Sequence, residues 1–348
     1  METNKDITIE EMKALYFDSD ALIEPNYKLY QLNSAKGRYY YRYDEDGEPE
    51  FYPSVTTILG STLPKSPWLI NWIAQKGVEE AERYKMERAT YGTFMHAQFE
   101  KLLIKRRYDL DMLKSELKSY IERKELPSDF IYYEEELKKD ILSFAQFIAD
   151  YDVKPLAVEI SLVHQTLRYA GMVDLVCTMK KSPKSEDTQL AIIDFKSGRN
   201  GFSDDAEIQL HMYRELFANN FGVTVEKVYN FAPKDWRKSP TYTLKDQSDS
   251  PNQEKIPYLL GLAMTDAKKG LPTFVDTYGV IDLDNIDLTK NVESLTMSEL
   301  VKAKHILPDE AEKPQKTTQK RSKKSSKATE PKTKKTRSNR KNDKNNKK

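Results

Sequence analysis

Cysteine is almost missing from this 348-residue chain, and Cys177 is the single example. One thiol cannot close an internal disulfide, and it excludes zinc or iron–sulfur sites built from several thiolates. A reducing cytoplasm is the compartment that follows. Long apolar runs are missing too. Nothing approaches the roughly 20 residues that span a bilayer, so no membrane attachment is expected. Met1 to Glu11 is acidic and polar and does not read as a signal peptide. The pattern Gly-x-x-x-x-Gly-Lys-Ser/Thr is absent, so no nucleotide cofactor and no fused motor are expected. No internal repeat is visible.

Charge is split unevenly along the chain. Residues 313–348 carry 16 Lys/Arg and two Asp/Glu, a net +14, whereas the other 312 residues carry 40 and 53, a net −13; together they make the +1 of the whole chain. The basic tail can attract a polyanion, which the acidic body on average repels. Tethering of nucleic acid through phosphate contacts is the preferred role of the tail, with solubility or partner docking as the alternative. From Pro308 onward no apolar residue repeats, and the tail is expected to be disordered.

Residues 1–26 read as helical or loose. Strand character runs from Tyr27 to Phe51, with a turn at Asp44–Gly47. Ser54 is a helix N-cap candidate. Helical patterns cover residues 67–84, 92–107 and 132–151, the last with Leu137, Ile141, Phe144, Phe147 and Ile148 on one face. Strands follow at 157–163, 170–179 and 189–196, then a helix at 203–221 and strands at 225–231 and 241–244. Residues 254–306 read as two helices around a strand at 274–281. These spans group into a strand and helix extension (1–52), a main domain (53–306) and the tail (307–348). Trp68 and Trp72 share a helix face and are expected to pack on the core. Trp236, between Lys234 and Arg237, suits either stacking on an unpaired base or anchoring a turn.

The sharpest local signal is a strand pair joined by a polar loop. Strand side chains alternate, which puts Met172, Asp174 and Val176 on one face and Ile192, Asp194 and Lys196 on one face. A symmetric hairpin centred on residue 184 sets Asp174 opposite Asp194, their Cβ atoms about 5 Å apart. Facing carboxylates within apolar strands are unfavourable without a cation. All-oxygen ligands favour Mg²⁺, with Mn²⁺ as substitute. Lys196 can hold a nucleophilic water or neutralise a transition state. Phosphodiester hydrolysis needs such a set. An Asp-x-Lys pair can also be a solvated ion pair, but Leu190, Ala191, Ile192, Ile193 and Phe195 argue against a solvated face.

Several segments in order resemble a known family. They are Gly171-Met172-Val173-Asp174, Asp194-Phe195-Lys196, and Gln209-Leu210-His211-Met212-Tyr213, preceded by Gly92-Thr93-Phe94-Met95-His96 and Pro53-Ser54-Val55-Thr56-Thr57-Ile58-Leu59. Together they resemble the RecB-like branch of the PD-(D/E)XK nucleases, in particular phage and mitochondrial-genome-maintenance exonucleases. The resemblance covers about residues 50–245. It implies an α/β fold with a restriction-endonuclease-like core: a mixed central sheet flanked by helices, the metal site at its edge. It implies Asp174 and Asp194 as metal ligands, with Glu159 and His96 as further ligands, and Lys196 as the catalytic lysine. Gln209 and Tyr213, four apart on one helix face, would lie beside the scissile phosphate. The iron–sulfur subgroup of the family, with its four cysteines, does not fit a chain with one.

The function that the resemblance implies is Mg²⁺-dependent exonucleolytic hydrolysis of DNA, leaving 5′-phosphate and 3′-hydroxyl ends, in recombination, replication or repair of a phage or bacterium. Its setting would be a bacterial or phage-infected host cytoplasm. The substrate would be single- or double-stranded DNA, and a single-strand-binding or annealing protein is a possible partner. A structure-specific endonuclease with the same chemistry and a non-catalytic DNA-binding recombination protein on the same fold are the alternatives.

Overall fold

The computed structural model describes residues 22–34, 37–198 and 202–267. Residues 1–21, the strand expected at 274–281, the helix after it and the basic tail lie outside the described residues. Among the described residues no helix is long and apolar enough to cross a membrane.

Alternating tyrosines build a small antiparallel sheet from β1 (Tyr30–Ser34), β2 (Gly37–Tyr43) and β3 (Pro49–Pro53). The Tyr30 ring stacks on Tyr41 at 5.1 Å, and Tyr41 meets Phe51 at 5.5 Å. The expected turn forms because the Asp44 carboxylate accepts the backbone N–H groups of Asp46 and Glu48. Ser54 then caps α1 (Val55–Thr62), its hydroxyl accepting the Thr57 N–H at 3.0 Å.

Two helices expected from the sequence are partitioned differently. Gly77, at φ 86°, ends α2 (Pro67–Lys76), and α3 runs unbroken from Val78 to Lys105. A glycine tolerates this φ and so marks the break. Between Tyr84 and Gly92 the residues Lys85, Met86, Glu87, Arg88 and Ala89 are good helix formers and nothing interrupts them. After Gly77 the chain redirects, and α2 lies against the start of α3 rather than in either core cluster. The expectation that Trp68 and Trp72 pack on the core is therefore wrong: Trp68 is 69% exposed and α2 buries no residue. Trp236 donates its indole N–H to the Lys139 carbonyl at 3.2 Å, which makes it a turn anchor.

Helices α4 (Leu113–Arg123) and α5 (Glu134–Tyr151) follow, then the main sheet: β4 (Lys154–His164), β5 (Tyr169–Lys180), β6 (Thr188–Phe195), α6 (Asp204–Phe221), β7 (Lys227–Pro233) and β8 (Tyr242–Asp246), with α7 (Ile256–Ala267) closing the described chain. The strands lie in the order β4-β5-β6-β7-β8. All neighbours are antiparallel except β6 and β7, which α6 joins as a parallel crossover. One core packs α1, α6 and α7 on the sheet through residues such as Val55, Leu216 and Leu260. The other packs α3, α4 and α5 on the opposite face, where Phe99 stacks on Phe144 at 4.1 Å. This is the expected mixed sheet flanked by helices.

The β5–β6 register is the expected one. Leu175 pairs with Ile193 and Val176 with Ile192, out to Lys180 with Thr188. One step beyond the ladder's open end come Asp174 and Asp194. Both strands are interior, so the pair sits at a strand end inside the sheet and not on an edge strand.

Alternation along β5 does not hold as expected. Val173 and Val176 pack in the α6-side core, whereas Leu175, Cys177 and Met179 pack in the other. The face changes at Asp174, so Met172, Asp174 and Val176 do not form one row. An irregularity lies opposite, on β4. Glu159 lies between the pairs Val158–Leu175 and Ile160–Val173 and is left-handed, with φ 48°. A non-glycine residue held there stores backbone strain, which proteins keep mostly at functional sites.

Gly171 lets α6 approach the sheet. A Cβ there would lie 2.8 Å from Tyr213 Cε1, 3.0 Å from Leu216 Cδ1 and 3.1 Å from Val55 Cγ2. Gly171→Ala is expected to cost about 1–3 kcal/mol through overpacking. Denaturant melts measure this, and an unshifted midpoint would refute so close an approach.

Candidate active site

Six of the seven site residues expected from the sequence meet where β5 and β6 part. Asp174 accepts the Phe195 backbone N–H on Oδ2 at 2.7 Å. This bond ties the end of β6 to the carboxylate where the regular ladder has stopped. Asp194 is 1% exposed, which rules out the solvated ion pair. Its Oδ2 takes the Lys196 ammonium at 2.8 Å and the Asn230 amide at 2.9 Å. Lys196 also donates to Gln209 Oε1 at 2.9 Å, and Gln209 donates to the Tyr213 hydroxyl at 2.6 Å. The four-residue spacing of Gln209 and Tyr213 on α6 makes that last contact possible.

His96 enters from α3, on the other side of the sheet. Its Nε2 lies 3.0 Å from the Phe195 carbonyl. A carbonyl only accepts, so Nε2 carries the proton. Burial holds the His96 pKa below its ordinary value, outweighing the pull of Asp194 and Glu159. The ring is therefore neutral at pH 7, and Nδ1 presents a bare lone pair 3.7 Å from Asp174 Oδ1. Glu159, the seventh residue, stands on β4 where its partner would be Asp174. Burial raises its carboxyl pKa, and Asp174 raises it further.

The electrostatics are those of crowded acids in a dry place. Burial and the neighbouring Asp194 push the Asp174 carboxyl up to about 8. Burial disfavours the Lys196 ammonium, but Asp194 beside it prevails and its pKa is raised. Burial, Asp194 and Asp174 together push the Tyr213 phenol far up, so it stays protonated. Among the described residues no three His, Cys, Asp or Glu side chains are gathered into a ready-made cation cage. The donors nearest one another are the Asp174 carboxylate and the His96 lone pair, with the Asp194 carboxylate across the strand pair.

Sequence reasoning missed two supporting layers. Asn230 on β7 is in register with Asp194 and holds it, while its Oδ1 accepts the Gln247 amide at 3.2 Å. An asparagine inside the apolar run Val228-Tyr229-Asn230-Phe231-Ala232 was the available signal. From α3, Arg88 donates to the Ser197 carbonyl at 3.2 Å and pairs with Glu136. Gly92 faces the same residue, since a Cβ there would lie 3.2 Å from Ser197 Oγ. The Arg88 bond holds the chain just past Lys196, and Gly92 leaves room for it.

Comparison with known proteins identifies a family. A family model described as the PD-(D/E)XK nuclease superfamily matches residues 70–272, more than half of the chain. No curated protein matches. One solved structure, titled "Crystal structure of SSO0001", is 14% identical over 53% of this chain and 89% of that one. Its TM-score is 0.24, too slight a likeness to carry an argument.

Proposed function

Because the chain belongs to the PD-(D/E)XK nuclease superfamily, we propose that Asp174, Asp194 and Lys196 are the catalytic centre of a Mg²⁺-dependent deoxyribonuclease that degrades DNA from its ends. The observation that carries this reading is the buried carboxylate pair with a lysine ammonium 2.8 Å from one of them.

Asp174 and Asp194 would hold the cation, with the His96 lone pair and Glu159 as further donors. Such a cation polarises the phosphate and lowers the pKa of a bound water. Lys196 is held between Asp194 and Gln209, with its side chain 30% exposed. It can therefore meet a phosphate oxygen or the attacking water, and it offsets negative charge as that charge grows. Gln209 aims the ammonium, and the protonated Tyr213 fixes the Gln209 amide. The neutral His96 adds no positive charge to compete with the cation. Its hydrogen bond to Phe195 locks the bare nitrogen toward Asp174. Attack by water at phosphorus and departure of the 3′ oxygen would leave 5′-phosphate and 3′-hydroxyl ends.

Action at ends is favoured by the likeness of the Gly92–His96 and Gln209–Tyr213 segments to those of exonucleases. Digestion of end-labelled DNA tests both parts. Cleavage is expected with Mg²⁺ or Mn²⁺ and none with EDTA. A covalently closed circle is expected to survive while its linear form is degraded. Cleavage of the circle would make the enzyme an endonuclease, and undiminished cleavage in EDTA would exclude the metal mechanism.

A further inference from the structure

Helix α2 is apolar and buries none of its residues, although Trp72 is half-buried. Trp68 and Ile70 are 69% and 53% exposed, and Val78 just beyond is 68% exposed. The indoles of Trp68 and Trp72 are stacked, 6.4 Å between centroids at 15°, and Trp72 leans on Tyr84 at 5.6 Å. The Lys76 ammonium sits over the Tyr84 ring at 5.7 Å. Patches of this kind on a protein surface mark binding sites.

Two observations say what covers it. The first is charge. Between Glu50 and Glu79 there are 28 residues without one Asp or Glu, and two of them are lysines, Lys65 and Lys76. In a body that otherwise repels polyanions, this is the segment that does not. A cavity of about 500 Å³ on the same segment is lined by Arg38, Thr56, Thr57 and Ser61, again with no acid. At the start of α3, Glu80 and Glu82 are already neutralised by Arg83 and Lys85.

The second is position. Tyr84, Arg88, Gly92 and His96 follow each other at four-residue steps along a ridge of α3 that winds about 120° around the helix axis. Arg88 donates to the Ser197 carbonyl, Gly92 leaves room beside the same residue, and His96 faces Asp174. The ridge thus runs from the aromatic cluster to the proposed catalytic centre, about 18 Å at 1.5 Å per residue. That is about five nucleotides of a stacked strand at 3.4 Å each.

We propose that Trp68 and Trp72 form a stacking platform for unpaired bases of the substrate, so that the enzyme takes hold of a single-stranded stretch of DNA beside the cleavage site. This rests on the nuclease reading. Aromatic faces accept any base, and nearby cations meet the backbone, so the platform binds without sequence preference.

The test is binding in EDTA, where no cleavage is expected, of a labelled single-stranded oligonucleotide and a blunt duplex. The double variant Trp68→Leu/Trp72→Leu keeps apolar bulk and removes the rings from an exposed helix. Its Kd for the single strand is expected to rise about tenfold or more, with duplex binding unchanged. Trp68→Phe/Trp72→Phe is expected to retain most of the affinity. Undiminished single-strand binding by the leucine variant would overturn the platform, and so would equal losses on both DNAs. Sedimentation completes the test: a self-associating parent that the leucine substitutions dissociate, with DNA affinity unchanged, would assign the face to a second copy. Cleavage by the unmodified enzyme with Mg²⁺ is scored separately. Cleavage together with a failed binding test removes only the platform, whereas no cleavage removes the reading beneath it.

Discussion

Lys196→Ala is expected to slow DNA cleavage by at least about 100-fold, the scale of losing one donor aimed at developing charge. Its ammonium contacts Asp194 at 2.8 Å and Gln209 at 2.9 Å, so the side chain is fixed before substrate arrives. Alanine also strips Asp194 of its cation, and a buried carboxylate left short of a partner destabilises the fold. Lys196→Gln separates the two effects, because its amide can still donate to Asp194. It should melt closer to the parent and remain as inactive. Lys196→Arg should rescue little, since a planar fork does not replace a compact ammonium between those two oxygens. Asp194→Asn should cost as much as Lys196→Ala. Combining the two should cost scarcely more, as for groups that act as a unit. Single-turnover rates on end-labelled DNA, beside thermal melts, measure all of this. A folded Lys196→Ala enzyme with the parent rate would remove the proposed centre.

Much of this site was legible because it rests on short-range regularities. The hairpin register followed from loop symmetry, and Leu175–Ile193 pairs as that symmetry requires. Gln209 and Tyr213 came from the family resemblance, and helical spacing then brings their side chains together. What was not legible has long-range or strained causes. Nothing in Glu159 announces a left-handed backbone, yet its φ of 48° accompanies the change of face at Asp174. Asn230 comes 36 residues after Asp194, and only the parallel crossover places them together. The Trp68–Trp72 pair misled for a different reason. An apolar pair four apart normally lies on a buried stripe, and the turn at Gly77 that leaves Trp68 exposed depends on where α3 runs. Binding surfaces break the rule that apolar means inside, and they do so where sequence patterns read best.

Asp174→Asn should abolish cleavage and yet make the cation-free protein more stable, increasingly so as pH rises. Burial and Asp194 push the Asp174 carboxyl up to about 8, whereas an unfolded aspartate titrates near about 4. Between these values the folded state holds a proton that the unfolded state has lost. The stability contributed by this group is therefore full below about pH 4 and is lost as pH rises through about 8. Asparagine does not titrate, and its amide oxygen can still accept the Phe195 N–H that Asp174 now takes at 2.7 Å. In EDTA the variant's advantage over the parent should grow by roughly 4 kcal/mol between pH 5 and pH 9, three pH units below the raised value at about 1.4 kcal/mol each, or roughly 10 °C in Tm. Mg²⁺ or Mn²⁺ should reverse the order by binding the folded parent and raising its Tm with concentration. The variant, with one anionic ligand fewer, should respond little. Melts of both proteins over this pH range, with and without cation, decide the matter. Parallel pH profiles and equal shifts on adding the ion would mean that these acids do not hold a metal between them.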